Sequence, residues 1–251
     1  MDSGLYAAYT GLLSRTQALD TVANNLANSA TGGFRAEKDF FRGVMVDNLG
    51  GSSSDSQVGG TVNSYGVLGG SALDFSQGQT TATGNPLDLA LEGDGFFALQ
   101  TPRGLRYTRE GGFTRSALGV LQSSQGEPVL DTLQQPIVIP TGDISIAANG
   151  TVSVATAAGS TIVGQVGIFS FADKSVLMAN GTNRFSVPDG TVPVAGAATI
   201  RQGAIEGSNE DAVQGTMQLV LVQRQAELMQ KALSVFYQDF DKTAAEELGK
   251  V

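Results

Sequence analysis

The sequence has no cysteine, no histidine and no tryptophan. Without cysteine there is no disulfide and no thiolate nucleophile, and without either cysteine or histidine the usual zinc sites are ruled out. A Ser-His-Asp triad is excluded, and so is the imidazole that serves most often as a general base near neutral pH. Any catalysis would have to rest on carboxylates, lysine, tyrosine or hydroxyls. Charge is also scarce, at 16% of 251 residues, where about a quarter is usual. Its sign is unbalanced: 15 basic against 24 acidic residues, net −9. An acidic chain repels phosphate backbones, so nucleic acid is not an expected partner. No apolar run approaches the ~18 residues that would suggest a membrane helix, and no membrane insertion is expected. The start, Met1-Asp2-Ser3-Gly4-Leu5, lacks the basic residues and apolar stretch of a cleavable signal peptide. A route out of the cytoplasm, if there is one, is expected to be a different one.

What is present falls into three kinds of sequence. Near the start, Leu5, Tyr9, Leu12, Thr16, Leu19, Ala23 and Leu26 recur at strict 4-3 spacing, a heptad seam with only Thr16 polar. The flanking positions carry few charges, which favours a helix packed by several neighbours over a solvated two-stranded coil. The helix is expected to end near Asn28, before Thr31-Gly32-Gly33. Near the other end, Leu219, Val222, Ala226, Met229, Leu233, Phe236 and Phe240 form a second 3-4 seam, preceded by Ser208 or Asn209 as candidate caps. Arg224 lies beside this seam, either solvated or poised for an ion pair between subunits. Glu227 and Lys231 are spaced for an i,i+4 pair.

The middle reads as β structure. Glycine, at 33 residues, is near twice its usual ~7% and marks many turns. Leu87 to Leu91 alternates, Gly93-Asp94-Gly95 turns into Phe96-Phe97-Ala98-Leu99, and Asn149-Gly150 is a hairpin signal between two alternating runs. Further strands are expected at 162–166, 168–171 and 184–187. Residues 48 to 70 are rich in glycine and serine and read as a linker or long loop. The expected fold class is α+β, with long terminal helices pairing as a coiled-coil-like domain around a central all-β sandwich or irregular barrel. The expected divisions are 1–34 (helical assembly segment), 35–70 (linker), 71–205 (β domain) and 206–251 (long assembly helix).

Few motifs suggest chemistry. Gly93-Asp94-Gly95 is only a fragment of a dinucleotide fingerprint and leads into a strand, and no Walker loop is present. Asp88, Glu92 and Asp94 could in principle gather for calcium or acid–base work. They match no EF-hand loop, and acids at strand ends are commonplace. No catalytic, cofactor or metal residues are expected, and no small-molecule substrate.

Three ordered stretches carry a resemblance. Ala23-Asn24-Asn25-Leu26-Ala27-Asn28-Ser29-Ala30-Thr31-Gly32-Gly33-Phe34-Arg35 resembles the N-terminal signature of bacterial flagellar rod and hook proteins. Asp88-Leu89-Ala90-Leu91-Glu92-Gly93-Asp94-Gly95-Phe96-Phe97 with Tyr107-Thr108-Arg109-Glu110-Gly111-Gly112-Phe113 is similar to the middle of that family, and Glu206-Gly207-Ser208-Asn209 to its C-terminal motif. The likeness spans nearly the whole chain. The chain is too short for the outer domain of hook members. It looks most like proximal-rod members and next like distal-rod ones, departing from the latter at Arg224-Gln225-Ala226-Glu227.

The resemblance implies a non-enzymatic axial subunit of the basal body. It implies export through the flagellar type III apparatus without a cleaved signal peptide, and helical polymerisation with itself and other axial proteins across the periplasm to carry torque. It also implies subunit contacts through the seams, with Asn24, Asn25, Asn28 and Phe34 beside the first and Arg224 beside the second. The alternative reading is a secreted β-rich binding or adhesion protein using the same export route.

Overall fold

Two helices bracket a long run of short strands. The computed structural model describes residues 2–44, 65–156, 159–181 and 183–248, and of Leu5, Phe236 and Phe240 the backbone only. Helix α1 spans Asp2–Ala27 and helix α2 spans Ala212–Leu248. At ~1.5 Å per residue α2 is about 55 Å long. The strands follow in chain order. They begin with β1 (Glu37–Val44), β2 (Tyr65–Leu73), β3 (Thr80–Ala82), β4 (Leu89–Glu92), β5 (Phe96–Thr101) and β6 (Gly104–Thr108). Next come β7 (Thr114–Arg115), β8 (Leu121–Gln122), β9 (Asp143–Ile146), β10 (Thr151–Thr156), β11 (Gly159–Gln165) and β12 (Ile168–Ser170). The last are β13 (Met178–Ala179), β14 (Arg184–Ser186), β15 (Val194–Ala195), β16 (Thr199–Gln202) and β17 (Ala204–Glu206).

The chain divides into two units. One holds the two helices with residues 37–72; the other holds residues 27–36 and 73–212. In the second unit β5 is the organising strand. It sits inside the six-stranded sheet β13-β14-β6-β5-β12-β15 and is buried on both faces. Phe97 and Leu99 join one apolar cluster, with Leu89, Leu91, Phe113 and Val152. Phe96 and Ala98 join another, with Tyr107, Phe171 and Phe185. A strand with a core on each side must be apolar at every position, which is why Phe96-Phe97-Ala98-Leu99 runs together instead of alternating. The rings meet edge to face: Phe97 and Phe113 at 5.1 Å, Tyr107 and Phe171 at 4.8 Å. The Asn149-Gly150 turn joins β9 to β10 in register Val152↔Ile146, with Gly150 at φ +86°.

The expected fold class needs correcting on two counts. First, the β region is no single sandwich or barrel. Its strands are two to seven residues long and pair into small separate sheets: one of six strands, one of three and several of two. Glycine-rich turns end each strand before a continuous ladder can build. Second, the helices do not pair seam to seam. On α1 the covered positions are Ser14, Ala18 and Asn25, whereas Tyr9 of the expected seam is 60% exposed and Leu12, Leu19 and Leu26 are half-buried. Gly11 faces α2, where a Cβ would stand 3.8 Å from the Met229 sulfur. The Met229 side chain fills the space that a larger residue at Gly11 would occupy, so the small residues of this stripe, not the bulkier leucines, take the inner side. On α2 the inner stripe is Gly215, Leu219, Val222, Ala226, Met229 and Leu233, with Ala226 and Leu233 buried.

Two smaller expectations also change. Asn209 does not cap α2, which begins at Ala212. The Glu227 carboxylate accepts from Gln223 Nε2 at 3.4 Å, with no bond from Lys231.

Because β5 serves two cores, truncating it is expected to be costly. Phe97→Ala should lower the stability of the β unit by about 3–5 kcal/mol. Leu118→Ala, at a residue 86% exposed, should stay within about 0.5 kcal/mol. Urea unfolding followed by tyrosine fluorescence measures both.

Candidate functional site

The candidate site has two parts, an interior clasp and the helical faces. The clasp is built on Glu206, at the end of β17 and fully buried. Its Oε1 accepts from Arg35 Nη2 at 2.5 Å and from the Gly78 amide at 2.9 Å; its Oε2 accepts from Arg109 Nη1 at 3.0 Å. Both arginines are buried as well. Carbonyls take up part of the surplus positive charge: Arg109 Nη2 donates to Gly93 O at 2.5 Å, and Arg35 Nη1 to Phe34 O at 3.1 Å. The Arg109 guanidinium also lies over the Phe96 ring at 5.4 Å. Burial pulls the Arg35 pKa down, while the Glu206 charge opposes that shift.

Backbone contacts extend the clasp. The Gly33 amide donates to Glu206 O at 2.9 Å. Gly33 sits at φ +68°, and a Cβ there would overlap the Glu110 amide nitrogen. No other residue combines that conformation with that approach. Asn209 Oδ1 accepts from the Ala36 amide at 2.7 Å, and its Nδ2 donates to Asp74 O at 2.7 Å. One side chain therefore ties together three segments, 34–36, 74–76 and 207–209, near points where the chain passes to the helical unit. Beside it, Arg184 binds Glu110 at 2.9 Å and Glu127 at 2.7 Å, and Asn183 Nδ2 donates to Gly32 O at 3.2 Å.

The sequence-derived site residues lie in several settings. Asn25 is buried on α1, where it exchanges two hydrogen bonds with the Glu37 backbone, 2.8 Å to the carbonyl and 3.0 Å from the amide. Thr21 Oγ1 supports the same strand by donating to Asp39 at 3.2 Å, and burial raises the Asp39 pKa. Asn28 Oδ1 accepts from Thr31 Oγ1 at 3.2 Å, Asn24 is exposed, and Phe34 is buried in the β unit. Arg224 is exposed on α2. Asp88, Glu92 and Asp94 do not converge: Thr83 and Asn85 hold Asp88, Arg201 meets Glu92, and Lys174 meets Asp94. Among the described residues no three acids gather as a metal site, and no helix is long and apolar enough to cross a membrane.

Sequence reasoning did not foresee the pairing of Arg35, Arg109 and Glu206. The available signal was that each is a charge set among glycines and apolar residues in a charge-poor chain: Gly33-Phe34-Arg35, Arg109-Glu110-Gly111-Gly112 and Ile205-Glu206-Gly207.

Comparison with known proteins covers the same segments. Residues 5–35 match the family model described as flagella basal body rod protein, and residues 90–154 match the flagellar hook protein FlgE/F/G D1 domain. The chain is 33% identical over 254 residues to the flagellar basal-body rod protein FlgF of Caulobacter vibrioides, covering 100% of both chains. It is 34% identical over 236 residues to FlgG of Bacillus subtilis, covering 88% of this chain and 89% of that one. It is 31% identical to FlgF of Mesorhizobium japonicum, covering 89% of each.

The clasp carries a direct prediction. Glu206→Gln leaves two buried guanidinium groups without their counter-charge and should cost the β unit about 3–5 kcal/mol. Glu92→Gln, whose partner Arg201 is exposed, should cost under about 1 kcal/mol. Paired urea titrations read the difference, and a Glu206→Gln cost as small as that of Glu92→Gln would remove the clasp from its central position.

Proposed function

The chain belongs to the flagellar basal-body rod protein family, and we propose that it serves as a proximal-rod subunit, polymerising helically through its terminal helices and transmitting torque. It is a structural component of the rod and not an enzyme. Its partners are other axial flagellar proteins, with copies of itself among them, and its place is the basal body. The end-to-end match to a rod protein named FlgF supports the proximal position. So does Arg224-Gln225-Ala226-Glu227, which departs from the distal-rod pattern. The comparable identity to an FlgG protein keeps a distal-rod subunit as the second reading.

The proposal includes passage through the flagellar type III export apparatus with no cleaved signal peptide, and assembly across the periplasm. The observation that carries the assembly reading is the exposure of large apolar side chains on both helices, including Tyr9, Leu13, Leu221 and Leu228. A helix whose apolar side chains remain in water is incomplete without neighbours. Torque transmission follows from the same packing, because close-packed helices resist deformation.

Deleting the gene in its host and imaging purified basal bodies tests the reading. The expected result is arrest at the rod stage, with no hook and no swimming, and a stub shorter than that left by loss of a distal subunit. Complete rods in swimming cells that carry no second copy of the gene would overturn it.

A further inference from the structure

Helix α2 is amphipathic twice over. Two residues on from each inner position, about 200° around the helix, a second stripe repeats at 4-3-4-3-4 spacing: Met217, Leu221, Arg224, Leu228, Lys231 and Val235. Its apolar members are 57%, 57%, 64% and 54% exposed in that order. A single exposed leucine is ordinary; four large apolar residues spaced 4, 7 and 7 on one side, with Arg224 and Lys231 between them, make a stripe suited to another helix. Helix α1 has a matching outer face, opposite Gly11, where Tyr9 and Leu13 are exposed and Asp20 follows Leu13 by seven residues, two turns along. Asp20 is the only charged residue among the exposed positions from 9 to 27. The outer stripe of α2 carries two cations, Arg224 and Lys231, and no acid. Among the described residues neither Asp20 nor Arg224 has an ion-pair partner.

These faces cannot meet within one chain, since the opposite sides of the same two helices are already turned toward each other at Gly11 and Met229. We propose that the outer stripe of α2 receives the outer face of α1 from a second copy of this chain, with Arg224 paired to Asp20 of that copy. The inference rests on the reading of a self-assembling subunit and specifies which faces do the work. A contact between two different faces leaves one of each free at the ends of any pair. Because the two outer faces lie on opposite sides of the helix pair, the contact is not reciprocated within a pair; it runs head to tail and gives an open helical polymer wherever the rotation does not close a ring. The pair supplies register, since a charge placed against leucine would be left desolvated and unmatched.

Charge reversal tests this in the deletion strain and with the full-length purified chain. Arg224→Asp alone and Asp20→Arg alone should each reduce complete rods, and pelletable polymer of the purified chain, at least tenfold. The double variant, which restores the pair with its polarity exchanged, should recover to within about threefold of the natural chain. Both residues are exposed, so the melting temperature of each soluble variant should be unchanged, which separates lost contact from lost folding. Leu228→Gln, in the apolar part of the stripe, should also impair assembly. Singles that assemble like the natural chain, or a double variant no better than either single, would overturn the proposal. In that case the rod reading survives if the unmodified gene restores rods to the deletion strain, and fails if rods never needed it.

Discussion

Segments far apart in the chain converge in the β unit on one buried carboxylate. Glu206 stands between Arg35 and Arg109, two residues that are 171 and 97 positions away in the chain. A buried triad of this kind contributes little net stability against an apolar replacement of the same shape, because each ion must first be stripped of water. What it provides is selectivity among arrangements. A misplaced Glu206 would leave two guanidinium groups buried without a counter-charge, which penalises alternatives heavily. Asn209, three residues on, repeats the principle with neutral groups, and Gly33 admits the close approach that both require. Parts of the three sequence stretches that resemble the rod and hook family, Gly33 to Arg35, Arg109 and Glu206 to Asn209, thus meet in the clasp. They hold the segments that lead to the helices.

The helices follow a different rule. The inner side of α1 uses small residues, Gly11, Ser14 and Ala18, whereas that of α2 is mixed, with Gly215, Ala226 and Leu233 buried. Other large apolar residues remain outside, Tyr9 and Leu13 on α1 and Leu221 and Leu228 on α2. For an isolated protein that division wastes burial. For a subunit in a polymer it leaves large apolar side chains available to neighbours. It also fits a chain with few charges, since a surface destined to be covered gains nothing from solvation.

How much of this the sequence revealed depended on the range of the interaction. Helix extents could be read from 4-3 spacing, and the β9–β10 hairpin from Asn149-Gly150, because both signals lie within a few residues. The continuous apolar run at Phe96 to Leu99 marked a buried strand, although not that it divides two cores. On α1 the heptad pattern was real but identified the wrong inner side: leucine spacing says which residues are apolar, not which neighbour will cover them. The clasp was the least legible part. Arg35 and Glu206 each stood out as a charge among glycines, but a pairing across 171 positions leaves no local periodicity. The family resemblance identified the motifs before their physical reason was visible.

On the rod-subunit reading the clasp holds the β unit as a preformed body while the helices await neighbours. Native-state hydrogen exchange on the unassembled full-length protein tests this most directly, through the amides of Gly33 and Gly78, which donate to the Glu206 backbone and side chain. Both are expected to be as slow as the amides of β5, with the outer turns of α1 and α2 exchanging far faster. Exchange at Gly33 and Gly78 as fast as at the exposed turn residue Gly190 would show that the clasp does not hold the β unit.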